Sequence, residues 1–103
     1  MKLKLRYSAR AERDLLSIGE YTLRNWGPAQ ADHYLAELEE CCRLLANNPA
    51  LGYACDLVRP GLRALEKGQH VIFYRQEVAG IRIVRILHER MLPERRKIED
   101  DLI

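Results

Sequence analysis

Between positions 70 and 90 the chain carries His70, Arg75, Arg82, Arg85, His88 and Arg90. Imidazoles and guanidiniums in one short stretch are what phosphodiester cleavage needs: a base, an acid and fixed cations for a pentavalent phosphate. The same side chains, alternating with Val71, Ile72, Ile83, Val84 and Ile86, equally suit salt bridges and hydrogen bonds within a sheet. Chemistry and architecture both stand open at each of them. Phe73, Tyr74 and Tyr53 have the faces to stack on bases, but Phe73 and Tyr74 fall on opposite sides of one strand. At most one of those two shares a platform with a given arginine.

Other chemistries have less to stand on. His33, His70 and His88 are far apart in sequence and beside no carboxylate at ligand spacing, so neither a metal nor a cofactor is expected. There is no glycine-rich phosphate loop, nucleophile elbow or HExxH helix. Cys41, Cys42 and Cys55 are an odd set without metal or redox spacing, which reads as free thiols in a reducing compartment. The first ten residues, MKLKLRYSAR, are too charged for a signal peptide, and no run approaches the roughly 20 apolar residues of a membrane span. A soluble, cytoplasmic protein is expected.

The 103 residues suit one domain, and the 17 basic against 15 acidic side chains leave a formal charge of only +2. A protein that coats duplex nucleic acid would carry a clear basic excess. The total conceals an uneven distribution. Residues 1–11 carry a charge of +4, residues 12–48 a charge of −4, residues 49–92 a charge of +3 and residues 93–103 a charge of −1. Thirteen of the basic residues are arginine, which favours planar, bidentate contacts to carboxylates and phosphates.

The elements that must position these groups follow from periodicity. Residues 2–7 alternate charge and hydrophobe, as a half-buried strand does. Ser8 is placed to cap a helix over residues 9–25, whose apolar set Ala11, Leu15, Ile18, Thr22 and Trp26 recurs every three or four residues. Gly27-Pro28 breaks it and starts a second helix, Pro28–Asn47, built on Ala31, Leu35, Leu38, Cys42 and Leu45. So short a break makes an antiparallel hairpin. Residues 49–61, with Pro49, Gly52, Pro60 and Gly61, read as a surface loop.

Three strands are then expected at 62–67, 70–76 and 81–88, joined by Gly68-Gln69 and Ala79-Gly80 as an antiparallel meander. Pro93 is suited to begin a short C-terminal helix. The fold class is α+β, with the helix pair over one face of the sheet. In residues 81–88 neither alternating side is cleanly polar, so an apolar area is expected to lie exposed on the uncovered face as a partner surface.

Three blocks carry a resemblance. Val58-Arg59-Pro60-Gly61-Leu62-Arg63, then Gly68-Gln69-His70-Val71-Ile72-Phe73-Tyr74-Arg75, then the run from Ile81 to Met91 containing Arg85-Ile86-Leu87-His88, closely resemble the ParE toxins of bacterial type II toxin–antitoxin systems. Arg24-Asn25-Trp26-Gly27 and the Asn48-Pro49-x-x-Gly52 pattern are similar to that family too, so the likeness runs over about residues 3–92. Val58, Leu62 and Leu92-Pro93 depart from its pattern.

The resemblance implies a RelE/ParE-type fold and a toxin that inhibits DNA gyrase by trapping its cleaved-DNA complex. It implies neutralisation in a hetero-oligomer with a ParD-type antitoxin, no catalytic residue, and neither sequence-specific DNA binding by the chain alone nor a membrane partner. The alternative is the related RelE branch, ribosome-dependent mRNA endonucleases: Arg85 and His88 fall near the catalytic residues of that branch, but no lysine cluster lies on the first strands of the meander and no tyrosine follows His88. Arg75, Arg82, Arg85, His88 and Met91 are the candidate target-binding residues. Tyr21, Trp26 and Tyr34 are the candidate antitoxin contacts, with burial inside the hairpin equally open for Trp26. The antitoxin is expected to dock as an acidic, amphipathic helix along the hairpin.

Overall fold

A computed structural model describes residues 4–91. The elements run β1 (Lys4–Tyr7), α1 (Ala9–Trp26), α2 (Pro28–Asn47), β2 (Tyr53–Ala54), β3 (Leu62–Lys67), β4 (His70–Glu77) and β5 (Gly80–His88), followed by one 3₁₀ turn, Glu89–Met91. The helix anticipated from Pro93 lies outside the described residues.

Each helix ends where its sequence dictates. Ser8 caps α1, its Oγ accepting the Ala11 N–H at 3.0 Å. Gly27 closes α1 with a positive φ of 88° and an N–H donated to the Leu23 carbonyl, and Pro28 opens α2 where its missing N–H is not needed. Ala11, Ile18, Leu38, Cys42 and Leu45 turn inward onto Ile72, Tyr74, Ile81, Ile83 and Ile86 of the sheet. This is the principal core.

The sheet has five strands in the order β1-β5-β4-β3-β2. The meander β3-β4-β5 is antiparallel, as its short turns require, and β1 adds parallel to β5, so the sheet is mixed. Gly68, at φ 60°, is the first central residue of the β3–β4 turn, the position where a two-residue hairpin needs glycine. In the second hairpin the turn is Val78-Ala79 rather than Ala79-Gly80. Gly80 instead pairs with both Glu77 and Lys4, and a Cβ there would collide with the Lys4 backbone.

Two further expectations need correction. The loop after α2 contains a strand: Tyr53 and Ala54 pair with Ala64 and Arg63. Two residues are too few to show a period. The segment before it is tied down from within, because the buried Tyr74 hydroxyl donates to the Pro49 carbonyl at 2.7 Å and accepts the Gly52 N–H at 2.9 Å, while Arg63 donates to the Gly52 carbonyl.

The second correction concerns the uncovered face. Leu62, Ala64, Val71, Phe73 and Leu87 form a second small core there, covered by Cys55 and Val58 of the chain's own loop, so the apolar area of this face is not left open. The mixed pattern of β5 has its cause in a bulge. Register against β4 shifts between Phe73 and Tyr74, so that Phe73 faces Arg85 while Tyr74 faces Ile83. The extra residue lets Ile81, Ile83 and Ile86 all join the helix-side core.

β1 ends at Tyr7, opposite Ile83, and α1 takes over the remaining edge of β5. The Ser8 N–H donates to the Ile83 carbonyl at 2.9 Å and its hydroxyl to the Val84 carbonyl at 2.7 Å. Asp14 completes the seam: its carboxylate accepts the Ile86 N–H at 2.9 Å and holds Arg85 in a bidentate pair at 2.7 and 2.9 Å. Their side chains are only 9% and 14% exposed for Arg85 and Asp14. Asp14→Ala is therefore expected to cost about 3 kcal/mol by withdrawing the carboxylate from a buried guanidinium, whereas Asp14→Leu combined with Arg85→Met should recover most of that loss. Urea unfolding of the two variants checks this.

Candidate functional site

Where the C-terminal half of α1 diverges from the ends of β4 and β5, a cleft of about 450 Å³ opens. Ile18 and Tyr21 line it from α1, and His70, Leu87, His88 and Arg90 from the strand ends. The strand register sets the pair of histidines, since His70 and His88 are direct cross-strand partners. Their rings meet edge to face with centroids 5.2 Å apart.

Both imidazoles are already engaged. The Tyr34 hydroxyl lies 2.5 Å from His70 Nδ1 and 3.4 Å from the Lys67 carbonyl, so it is shared between the ring and the turn. Burial, reinforced by His88 and opposed by Asp14, pushes the His70 pKa down to about 4, which keeps the ring neutral. His88 Nδ1 accepts the Arg90 N–H at 3.1 Å, and Nε2 faces Gln69 Oε1 at 3.3 Å. Burial raises the thiol pKa of all three cysteines, Cys42 to about 11, which disfavours the nucleophilic thiolate. Among the described residues no cluster of His, Cys, Asp or Glu could hold a metal ion, and no helix is long and apolar enough to cross a membrane.

The residues singled out from sequence fall into separate places. Arg85 lies buried against Asp14, and His88 sits in the cleft. Arg75 and Arg82 pair with each other across β4 and β5 on the face away from the helices. The Met91 backbone belongs to the 3₁₀ turn. Tyr21 lines the cleft and is 57% exposed, while Tyr34 is half-buried against His70. Trp26 is 70% exposed at the end of α1, outside the hairpin core. It stands with exposed Leu16 and Leu23 on one stripe of α1, and sequence reading passed over both leucines. Their spacing of seven and three residues was the available signal. Asp14 has no such signal: it is one of three acids on α1, with Glu12 and Glu20, and only its partners on β5 set it apart.

The histidine environment makes the stability pH-dependent in a definite direction. The unfolded chain takes up a proton on His70 near 6.5 and the folded chain only near 4. Its contribution to stability is complete above pH 6.5 and is lost as the pH falls toward 4. Tyr34, His88 and Asp14 face the same ring. His70→Asn should thus show a flatter melting temperature across this window than the parent chain, measured by circular dichroism.

The comparisons with known proteins fit this architecture. The profile of the ParE toxin of type II toxin–antitoxin systems, parDE, matches residues 5–93. Toxin ParE1 of Mycobacterium tuberculosis is 45% identical over 85 residues, covering 82% of this chain and 87% of that protein. Toxin ParE1 of Caulobacter vibrioides is 38% identical over 86 residues, covering 84% and 88%. A solved structure of the chromosomal ParDE toxin–antitoxin system from P. aeruginosa superposes with a TM-score of 0.72 over 84% of this chain and 95% of that one, at 24% identity, a likeness of fold. With the profile spanning nearly every described residue and two relatives well above 30% identity, this chain belongs to the ParE toxin family of type II toxin–antitoxin systems.

Proposed function

We propose that this protein inhibits DNA gyrase by trapping its cleaved-DNA complex and is neutralised by a ParD-type antitoxin in the cytoplasm. The observation that carries this reading is the separation of two unlike surfaces on one small chain. An apolar stripe of Leu16, Leu23 and Trp26 stands open on α1, and arginines stand open on the opposite face of the sheet. The first suits an amphipathic antitoxin helix, with Tyr21 and Tyr34 reaching the neighbouring cleft. The second, with Arg75 and Arg82, suits the target; of the other candidates, His88 lines the cleft beside α1 and Arg85 is held against Asp14.

The endonuclease alternative is disfavoured by the same geometry. A general base needs a free lone pair and a general acid a free hydrogen within reach of substrate. Arg90 and Gln69 engage both nitrogens of His88, Asp14 engages the Arg85 guanidinium, and Tyr34 engages His70 Nδ1, in a ring whose pKa of about 4 leaves it no proton to give as imidazolium near neutral pH.

The purified protein is expected to block supercoiling by gyrase and to raise linear DNA in its presence, while leaving mRNA intact in a translation reaction. Cleavage of mRNA at the ribosome with gyrase unaffected would reverse the assignment. Co-purification with a ParD-type antitoxin should fall by at least about tenfold in a Leu23→Glu, Trp26→Glu variant, since each charge faces an apolar contact.

A further inference from the structure

Arg6, Arg82 and Arg75 form one row across three adjacent strands. Arg6 pairs with Arg82 between β1 and β5, and Arg82 pairs with Arg75 between β5 and β4. Because Leu5, Tyr7, Tyr74, Ile81 and Ile83 all pack toward the helices, the three arginines share the opposite face. Adjacent strands lie about 4.8 Å apart, so three guanidinium stems stand within about 10 Å. Arg59, from the loop that covers the rest of this face, joins Arg75 and Arg82 around a cavity of about 190 Å³.

Like charges set directly opposite one another on neighbouring strands cost stability. Compensation here is thin. Among the described residues, Glu77 alone pairs with the row, at 3.3 Å from Arg82 Nε, and that buried nitrogen still has no aligned hydrogen-bond partner. No carboxylate among the described residues pairs with Arg6, Arg59 or Arg75. Ser8, also at the cavity, has its hydroxyl hydrogen committed to the Val84 carbonyl. What remains is a row of guanidiniums whose charge the fold leaves largely unbalanced.

We propose that Arg6, Arg59, Arg75 and Arg82 bind the phosphodiester backbone of duplex DNA directly. This deepens the gyrase reading by naming DNA as what the arginine face touches, and rests on that reading for its setting in the cell. The density of charge selects the partner. An extended acidic peptide presents same-side charges about 6.7 Å apart, whereas each strand of duplex DNA carries one for about every 3.4 Å of its axis. Single strands are held by stacked aromatics; on this face Phe73 is buried beneath the loop, and Tyr53, exposed on the edge strand β2, stands two strands beyond Arg75 and apart from the row. The modest total charge is no obstacle, because the row is local.

Fluorescence anisotropy of the protein alone with a duplex of about 20 base pairs, from about 50 to 200 mM salt, tests this. The logarithm of affinity should fall against the logarithm of salt with a slope of roughly −3, as three to four neutralised phosphates require. Arg75→Gln and Arg82→Gln should each weaken binding about five- to tenfold and make the slope shallower by about one, while Arg24→Gln on α1 changes neither. Circular dichroism confirms that the variants fold; if Arg82→Gln does not, Arg75→Gln and Arg6→Gln carry the test. A flat salt dependence, equal losses in Arg24→Gln, or displacement of the DNA by polyglutamate at equal charge would overturn the proposal, the last by making this a face for acidic protein. Gyrase is absent from the assay, so its outcome is independent of whether gyrase is poisoned.

Discussion

One carboxylate joins the two layers of this protein. β5 needs a partner on its outer edge along its whole length, but β1 stops at Tyr7, halfway along, and turns into α1. Asp14 answers the edge N–H of Ile86, which has no strand beside it, and the Arg85 guanidinium together, so the helix hairpin is fixed against the strand that carries the end of the site. Without such an acceptor, a buried edge amide and a buried cation would both go unanswered, which is costlier than either alone. The position of α1 over β5 and the opening of the cleft beneath it follow from that seam.

The bulge in β5 is the companion device. It reconciles a strand whose alternation is interrupted with two cores on opposite faces: Ile81, Ile83 and Ile86 meet the helices, while Leu87 joins Phe73 and Val71 beneath the loop. It also sets Arg85 opposite Phe73, one residue before the amide that Asp14 accepts. The interruption that made β5 look mixed in sequence is thus what brings the helix and the strand into register.

Family membership places the chain among the toxins of type II toxin–antitoxin systems, and the geometry leaves two surfaces suited to contact. Apolar side chains that a small fold would ordinarily bury stand open on α1, and cations that a fold would ordinarily pair stand in a row on the sheet. Both cost stability in isolation, and both are the kind of cost a binding protein bears for its partners. The groups that resemble a catalytic set, His70, His88 and Arg85, are meanwhile held by Tyr34, Gln69, Arg90 and Asp14.

The sequence by itself determined the element order, the helix hairpin and the meander, because capping residues, turn glycines and apolar periodicity act over a few residues each. It also determined the family, through the blocks around Arg59, His70 and Arg85. It could not show β2, which is held by Tyr74 and Arg63 from distant strands, nor the parallel pairing of β1, which depends on nothing local. Above all it could not show how fully each arginine is paired. Arg82 and Arg85 sit three residues apart and look alike in the chain, yet Arg85 is held in a bidentate pair by a carboxylate 71 residues away, while Arg82, set between Arg6 and Arg75, has only Glu77 at 3.3 Å from Nε. Charge has long reach and no local signature, so only the packing of strand on strand and helix on strand decided its role.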